Sequence, residues 1–440
     1  MNMLKKIILL FTVIFTVTAC SQGGNATVTP TPTPAKVTLI WWNMFEPQAN
    51  VQPLIDAYEV LHPNVVIQYA QKGISTGIDG YKNELDVVIR DSDPLNNPDI
   101  FTIGNTWAGK YDQFITHAPS GTFAQEDLDD YYPVMKSDFF ANGVEAVPIN
   151  ADAIAVIYNK DKLIEAGYTT PNDAWPEFQN QAKAMTKRDA SNKIISAGFS
   201  AGFPANTEFE FDLVNLLMLQ NGVNMTDAAA TKATFADDAE ITKATNALTF
   251  YSKFVSSNAT WSADQKKDIA AFLEKKLAMF VAPSWRLIDI LNYNKQYNLG
   301  LNIGVAPIPQ LGDANIHWAD YWGQTVSKES RNPAVAWDFI KFMTTKEQQL
   351  KLDATVKTNG RPFGIIYPRV SQASLITLKD QPDYNPLLGP YIQSLANAKD
   401  WNMADGYAVK KVFETELAKG SDIQTIAGQV TSIMKDKAKP

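Results

Sequence analysis

Aromatic rings and hydrogen-bonding side chains occur together where predicted strands end. Trp42 and Asn43 close the first strand, and Asn105 and Trp107 follow a later one. A flat ring can cover an apolar ligand face, while planar polar groups can hold hydroxyls through two hydrogen bonds. Ligands of open α/β sheets lie beyond the carboxyl ends of the strands. These pairs therefore predict a cleft for a ligand that has both apolar faces and hydroxyl groups.

The other candidates for this cleft lie in the second and third thirds of the chain. They are Asp152, Trp285, Arg286, Trp318, Tyr321, Trp322, Arg361 and Trp401. Trp285 follows a short apolar strand, as a cleft residue would. Asp152 and Arg361 could equally be exposed side chains that touch no ligand. Trp41 and Trp42 alternate on one strand, so one of the two is expected in the core.

One segment matches the pattern of a hydrolase nucleophile. Gly198-Phe-Ser200-Ala-Gly202 fits G-x-S-x-G, which requires a helix directly after the serine. Pro204 follows within the next turn, and only His317 lies downstream as a base. We therefore predict that the chain is not an enzyme.

Metal and cofactor sites are not predicted. The histidines are His62, His117 and His317. They are far apart in the sequence, and no glycine-rich phosphate loop is present. The oxygen-rich stretch from Asp91 to Asp99 lacks the spacing of an EF-hand loop, so a solvated loop is expected, with calcium as the alternative.

The single cysteine, Cys20, excludes an internal disulfide and gives the clearest processing signal. Two lysines precede an apolar run from Ile7 to Val17, which is shorter than the ~20 residues that span a bilayer. Val17-Thr-Ala-Cys20 resembles a bacterial lipobox. We predict a signal peptide over 1–19, a lipidated Cys20 and an extended Thr/Pro-rich tether over 20–36. The alternatives are an uncleaved anchor and an ordinary signal peptide with a chance cysteine.

Composition excludes one class of partner. The 440 residues include 39 Lys+Arg and 47 Asp+Glu, for a net charge of -8. A nucleic-acid binder needs a basic surface, so none is expected. Alternating strand and helix patterns, such as Val37–Trp42 followed by a helix with Val51, Leu54 and Ile55 on one face, predict an α/β fold with a parallel sheet covered by helices.

An ordered series of short segments carries a family resemblance. They are Thr38-Leu-Ile-Trp-Trp-Asn43, Pro98-Asp-Ile-Phe101, Ile157-Tyr-Asn-Lys-Asp161, Leu277-Ala-Met-Phe280, Gly304-Val-Ala-Pro307, Tyr321-Trp-Gly323 and Asn332-Pro333 with Trp337. In this order the chain resembles extracellular solute-binding protein family 1 of ABC importers, which includes many sugar receptors. The family's usual placement of aromatic residues also favours Trp285 and Tyr321 or Trp322 as cleft residues.

The resemblance implies a two-lobed periplasmic-binding-protein fold of type II. Lobe one would comprise 37–148 and 307–355, and lobe two 149–306 and 356–440. It further implies a monomeric, lipid-anchored receptor on the extracytoplasmic face of the cell membrane, without a cofactor, that closes on a carbohydrate and delivers it to permease subunits. Three alternatives stay open: a receptor for glycerol phosphate, a polyamine or a peptide; an extracellular carbohydrate-active enzyme; and a scaffold lipoprotein.

Overall fold

Two mixed sheets with helices packed on them form the architecture in the computed structural model, which describes residues 35–90, 97–256 and 259–436. The strands are β1 Val37–Met44, β2 Val65–Lys72, β3 Ile100–Gly104, β4 Ile115–Thr116, β5 Val147–Pro148, β6 Ala155–Asn159, β7 Lys187–Arg188, β8 Ile194–Phe199, β9 Leu277–Ala282, β10 Ile303–Ala306, β11 His317–Trp318, β12 Trp322–Ser327 and β13 Ala398–Lys399. The predicted α/β class is confirmed.

Seventeen α-helices are assigned in these ranges. They are α1 Gln48–Leu61, α2 Gly77–Val88, α3 Ala108–Tyr111, α4 Gln125–Asp129, α5 Pro133–Phe139, α6 Lys160–Glu165, α7 Trp175–Met185, α8 Glu210–Gln220, α9 Ile241–Ser252, α10 Asp268–Leu273, α11 Ser284–Gln296, α12 Pro333–Met343, α13 Lys346–Thr358, α14 Ser374–Thr377, α15 Gly389–Ala396, α16 Gly406–Lys419 and α17 Ile423–Asp436. Across the described part of the chain, no helix combines the length and apolar character needed to cross a bilayer.

The larger sheet has the order β2-β1-β3-β12-β4, and β5 also pairs with β12. β1 runs parallel to β2 and β3, whereas β12 is antiparallel to β3, β4 and β5. The smaller sheet has the order β10-β6-β9-β8-β7, and β11 pairs separately with β13. A parallel sheet alone was expected, and the late strand β12 makes the larger sheet mixed.

The amphipathic face that the spacing predicts for α1 comprises Val51, Leu54, Ile55, Tyr58 and Leu61, and it is buried except at its last residue, since Leu61 is 64% exposed. Val51, Leu54, Ile55 and Tyr58 are buried, and α1 packs between the larger sheet and the helices α12 and α13. Trp41 is fully buried on β1, where its Nε1 donates to Gln324 Oε1 at 2.7 Å. Strand alternation and helical periodicity therefore identified the core of this half of the molecule.

Candidate functional site

A cavity of about 620 Å³ lies where segments of the larger and the smaller sheet meet. The larger sheet contributes the end of β1, the end of β2 and the start of β12. The smaller sheet contributes the chain before β6 and the first turn of α11, which directly follows β9. The segment from Phe363 to Ile366 and side chains of α8 and α16 complete the wall. This volume is in the range of small-molecule sites.

Trp285 provides an aromatic surface on the smaller-sheet wall. Its side chain is 41% exposed, which is unusual for a tryptophan among large buried neighbours. The edge of Phe209 packs against it at 5.7 Å between ring centroids, and the Arg286 guanidinium carbon lies 4.4 Å from its ring centroid. These two neighbours hold the indole in one orientation, so its open face is available for stacking.

A second aromatic group lies on the larger-sheet wall. Phe45 is 52% exposed and contacts Trp322 edge-on at 5.2 Å between centroids. Trp107 packs behind Trp322 at 4.8 Å. Phe45 has a φ of 68°, a backbone conformation that costs a bulky residue energy and that clusters at ligand sites. Each wall of the cavity thus presents an aromatic side chain.

Asp152 lies under the cavity and fixes the start of α11. Its Oδ1 accepts hydrogen bonds from the backbone N–H groups of Ser284 at 2.9 Å and Ala153 at 2.8 Å, and its Oδ2 accepts from Ser284 Oγ at 2.7 Å. Burial raises the pKa of the Asp152 carboxyl to about 7, although these donors oppose the shift. The carboxyl therefore positions the helix turn that carries Trp285.

Asp320 lies on the cavity wall, and its carboxyl has few protein partners. Trp285 Nε1 is 3.5 Å from its Oδ2, a long contact that leaves acceptor positions open. Burial, together with the nearby Asp212 carboxyl, raises the pKa of Asp320 to about 6. Asp212 accepts from Trp318 Nε1 at 2.8 Å. Lys410 adds an ammonium group whose pKa is raised because the Asp212, Glu414 and Asp320 carboxyls outweigh its burial.

Arg361 is also on the cavity wall, but its charge is already paired. Its Nη2 donates to both carboxylate oxygens of Glu46 at 2.8 Å. Lys72 is similarly engaged, 2.5 Å from Glu84 and with its ammonium 3.6 Å from the Trp42 ring centroid. The wall includes five carboxyl side chains against three basic ones. An anionic ligand would find little unpaired positive charge here.

The Ser-x-Gly segment does not form a nucleophile elbow. Ser200 is fully buried, and the next helix, α8, begins only at Glu210. Within the described residues neither Ser200 Oγ nor His317 Nδ1 has a hydrogen-bond partner, so the two do not form a serine–histidine pair. The geometry required for a hydrolase of that type is not present at this segment.

Comparison with known families identifies the chain. Residues 43–350 match the family model described as bacterial extracellular solute-binding protein. The chain belongs to this family. An extracellular solute-binding protein acts outside the cytoplasm.

Solved structures with the same fold agree with this assignment. The cyclic alpha-maltosyl-1,6-maltose binding protein from Arthrobacter globiformis has a TM-score of 0.71 at 17% identity, covering 91% of this chain and 100% of its own. The sugar-binding protein MalE from Xanthomonas citri has a TM-score of 0.70 at 18% identity, with 92% and 98% covered. The GacH receptor of Streptomyces glaucescens GLA.O has 0.67 at 18%, with 92% and 99% covered. The two-lobed fold predicted for this solute-binding protein is confirmed.

The cavity of the solute-binding protein brings together half of the predicted site residues. Asn43, Asp152, Trp285, Tyr321, Trp322 and Arg361 line it. Within this group, Asn43 Oδ1 accepts from Thr102 Oγ1 at 2.9 Å, and the Tyr321 hydroxyl donates to Asp138. Part of their hydrogen-bonding capacity is therefore used by the protein itself.

The other six predicted residues are placed behind the wall. Trp42 is covered by the Lys72 ammonium, and Trp107 packs behind Trp322. Asn105 Nδ2 donates to Asp400 Oδ2 at 2.6 Å. β1 at Trp42 and the turn after β3 direct these three side chains into the protein, so the structure does not bring them to the cavity.

The remaining three predicted residues also lie away from the cavity of the solute-binding protein. Trp318 and Trp401 are buried against α8, where Asp212 and Asn215 accept their indole N–H groups at 2.8 Å. Arg286 lies against Trp285 and is paired with Glu208 and with Asp289. A buried indole with its own acceptor belongs to the core.

Several cavity residues were not predicted. They are Phe45, Phe209, Asp212, Asp320 and Lys410. Asp320 directly precedes the predicted Tyr321 and Trp322, so its position was a usable signal. Lys410 lies on an ordinary amphipathic helix and offered none. In the solute-binding protein these residues add three of the eight charged side chains of the wall.

Proposed function

We propose that this chain is the lipid-anchored receptor of an ABC importer and that it captures a neutral oligosaccharide in the cavity between its two sheets. The observation that carries the proposal is the pair of exposed aromatic groups, Trp285 on one wall and Phe45 with Trp322 on the other. Two platforms with hydroxyl-accepting carboxyls between them suit sugar rings, which have apolar faces and polar edges.

The ligands of similar proteins support this class. GacH was crystallised with acarbose, and another protein of the same fold, 21% identical and with a TM-score of 0.64, has mannobiose bound. The Arthrobacter protein is named for a cyclic maltosyl-maltose. All three ligands are built of sugar or sugar-like rings. The pairing of Arg361 and Lys72 with carboxylates speaks against a phosphate ester.

A polyamine receptor is the second candidate. The excess of carboxyl over basic side chains on the wall favours a cationic ligand. A polyamine, however, would pair with the carboxylates and would offer no sugar ring to stack on most of the exposed aromatic surface. The two candidates share one architecture and differ only in the ligand.

A panel of ligands distinguishes these candidates. Thermal shift of the purified chain is measured with neutral mono- and oligosaccharides, a sugar phosphate, a polyamine and a peptide. We expect a neutral oligosaccharide to raise the melting temperature, because a ligand that binds only the folded state stabilises it. A shift with the polyamine alone would support the second candidate. Release of reducing ends from any saccharide would instead indicate an enzyme.

The site should be pH dependent because of Asp320. Hydroxyl groups donate to the ionised carboxylate, and its pKa is raised to about 6. The affinity for the ligand is therefore highest above pH 6, where the carboxylate is ionised. It falls by about tenfold as the pH is lowered from 7 to 5. We expect Asp320→Asn to weaken binding at pH 7 and to flatten the profile, measured by calorimetric titration. An unchanged profile in the variant would assign the titration to another group.

Closure of the two lobes on the ligand has a candidate contact in an ion cluster. Lys82 of α2 and Lys110 of α3 lie 2.8 Å and 2.6 Å from Asp86. The same two ammonium groups lie 3.6 Å and 3.2 Å from Asp405, the residue that precedes α16. α16 also carries the cavity residue Lys410. The cluster therefore ties helices that pack on the larger sheet to a cavity-lining helix that packs on α8 and α17.

Removing one charge of this cluster should weaken ligand binding. Asp405 also caps α16, since its Oδ1 accepts from Ala408 N at 3.1 Å, and asparagine caps equally well. Asp405→Asn thus removes the charge and keeps the helix start. We expect roughly threefold to tenfold weaker binding, because partly buried pairs contribute about a kcal/mol. Asp79→Asn, which breaks the exposed pair with Lys411 between the same two helices, is the matched control and should change nothing. Equal effects of the two variants would remove the cluster from the closure mechanism.

The anchor and the lobe limits complete the proposal. Cys20, the signal peptide over 1–19 and most of the tether over 20–36 lie outside the described residues, and we propose that lipid on Cys20 holds the receptor, as a monomer, near its permease subunits.

We retain 37–148 with 307–355 and 149–306 with 356–440 as the lobes. β1 to β5 and β12 fall in the first and β6 to β10 in the second, which supports this division. By these limits β11 lies in the first lobe and β13 in the second. The two strands nevertheless pair with each other, so this pair departs from the division.

A further inference from the structure

We infer that Asp112, His117 and Glu145 form a binding site for a divalent transition-metal ion such as Zn²⁺. One carboxylate oxygen of each acid and one ring nitrogen of the histidine all lie within 4.8 Å of one another. None of the three lines the cavity. The inference thus concerns a second site, and it departs from the prediction that the histidines are too scattered to suggest a metal site.

The edge of β12 brings these distant residues together. β4 ends with Thr116 opposite Val326, and β5 begins with Val147 opposite Gln324, on the same edge of β12. His117 directly follows the first strand, and Glu145 lies two residues before the second. The backbone also joins the two segments, because Ala118 N donates to Val144 O at 2.9 Å. Sequence separation therefore hides a local cluster.

The backbone that carries the ligand side chains is held in place without a metal. Glu145 is 8% exposed, its backbone N donates to Phe139 O at 2.9 Å, and its backbone O accepts from Thr325 Oγ1 at 2.5 Å. Asp112 lies in a turn of 3-10 helix, Asp112–Phe114, that leads directly into β4. A site on fixed backbone loses little entropy when it binds an ion.

The spacing suits a small tetrahedral ion. His117 Nε2 lies 3.1 Å from Asp112 Oδ1. Two ligands with bonds of about 2.0–2.2 Å to zinc at a tetrahedral angle are roughly 3.4 Å apart, close to the distance in this pair. The ligand atom of Glu145 lies within 4.8 Å of both and would move inward to complete the site. One imidazole and two carboxylates favour zinc or a similar transition metal, whereas Ca²⁺ takes six to eight oxygen ligands. A fourth position would be left for water.

The chain offers a matched control at His62. Its Nε2 lies 3.6 Å from Asp338 Oδ2, and its ring stacks on Tyr58 at 4.2 Å. The His62 side chain is 39% exposed and that of His117 is 36% exposed. Among the residues that the structure describes, however, the His62–Asp338 pair has no further acid or histidine to make a three-ligand group. The His62–Asp338 and His117–Asp112 pairs therefore differ in whether a third ligand residue is nearby.

Calorimetric titration of the untagged, chelator-treated chain with ZnCl₂ tests the site. We expect one zinc per chain and a higher melting temperature with zinc. His117→Gln and Asp112→Asn should each weaken binding by at least about tenfold, while His62→Gln leaves it unchanged. Both positions of the weakening variants are at least partly exposed, so folding is retained even where the buried Glu145→Gln fails to fold.

Three results would overturn the site. They are no saturable zinc binding, full binding by His117→Gln, and equal weakening by His62→Gln. Oligosaccharide binding by the same preparations is measured separately, because none of Asp112, His117 and Glu145 lines the cavity. Loss of the zinc site would therefore leave the receptor proposal standing, and the reverse also holds.

Discussion

Trp285→Ala is expected to weaken oligosaccharide binding by about thirtyfold, because it removes the exposed ring from one wall of the cavity. Central aromatic residues of binding sites cost about 2 kcal/mol or more when truncated, and 1.4 kcal/mol corresponds to a factor of ten in affinity. The ring is held from behind by Phe209 and Arg286. Removing it also leaves the Asp320 carboxyl without its Nε1 neighbour. Calorimetric titration of both proteins with the best ligand of the panel measures the difference.

The same variant should keep its fold, since 41% of the side chain is exposed before the change. Its melting temperature without ligand is expected within a few degrees of the wild type. Tyr293→Ala is the matched control, because Tyr293 lies on the same helix, is 42% exposed and does not line the cavity. The substitution could instead unfold the protein and leave the affinity of the remaining folded molecules unchanged. Trp285 would then be a core residue, and the proposal of an aromatic wall would be wrong.

Gly198→Ala is expected to destabilise the protein by about 3 kcal/mol, at the upper end of the cost of overpacking. An added Cβ would lie 1.8 Å from the carbonyl oxygen of Ala182, a backbone atom that cannot rotate away. α7 would have to move off β8, where the Gly198 backbone N–H donates to Thr186 Oγ1 at 3.1 Å. β8 pairs with β9, the strand that leads to Trp285.

Gly428→Ala is the matched control with the opposite sign. Gly428 is exposed inside α17, and a Cβ there meets nothing within 4 Å. Alanine is favoured over glycine in a helix by roughly 0.5–1 kcal/mol, so this variant should be more stable than the wild type. Urea unfolding of the two variants checks both. Equal midpoints would contradict the close packing of α7 on β8.

Local patterns were enough to predict much of the fold. The face of α1 at Val51, Leu54, Ile55 and Tyr58 is buried as its spacing indicated. The rule that ligands lie beyond strand ends placed Asn43 and Trp285 at the cavity. These successes share a cause: each depends on neighbours a few residues away in the chain.

The predicted residues that lie away from the cavity depend on distant partners. Trp318 and Trp401 were predicted at the cleft, but both indoles are buried and donate to acceptors on α8. A tryptophan serves equally well in a core and as a sugar platform, so its type alone does not distinguish them. Asp320 and Lys410 acquire their roles only when α16 meets the chain before β12. His117 and Glu145 meet only because two short strands share one edge of β12.

The capture of a neutral oligosaccharide is tested most directly by calorimetric titration of the purified wild-type chain with the saccharide panel at pH 7.5. The account predicts saturable binding of at least one neutral oligosaccharide, with one ligand per chain and a negative heat-capacity change from the covered apolar surface. Absence of heat with every neutral saccharide, together with saturable binding of a polyamine, phosphate ester or peptide, would contradict it.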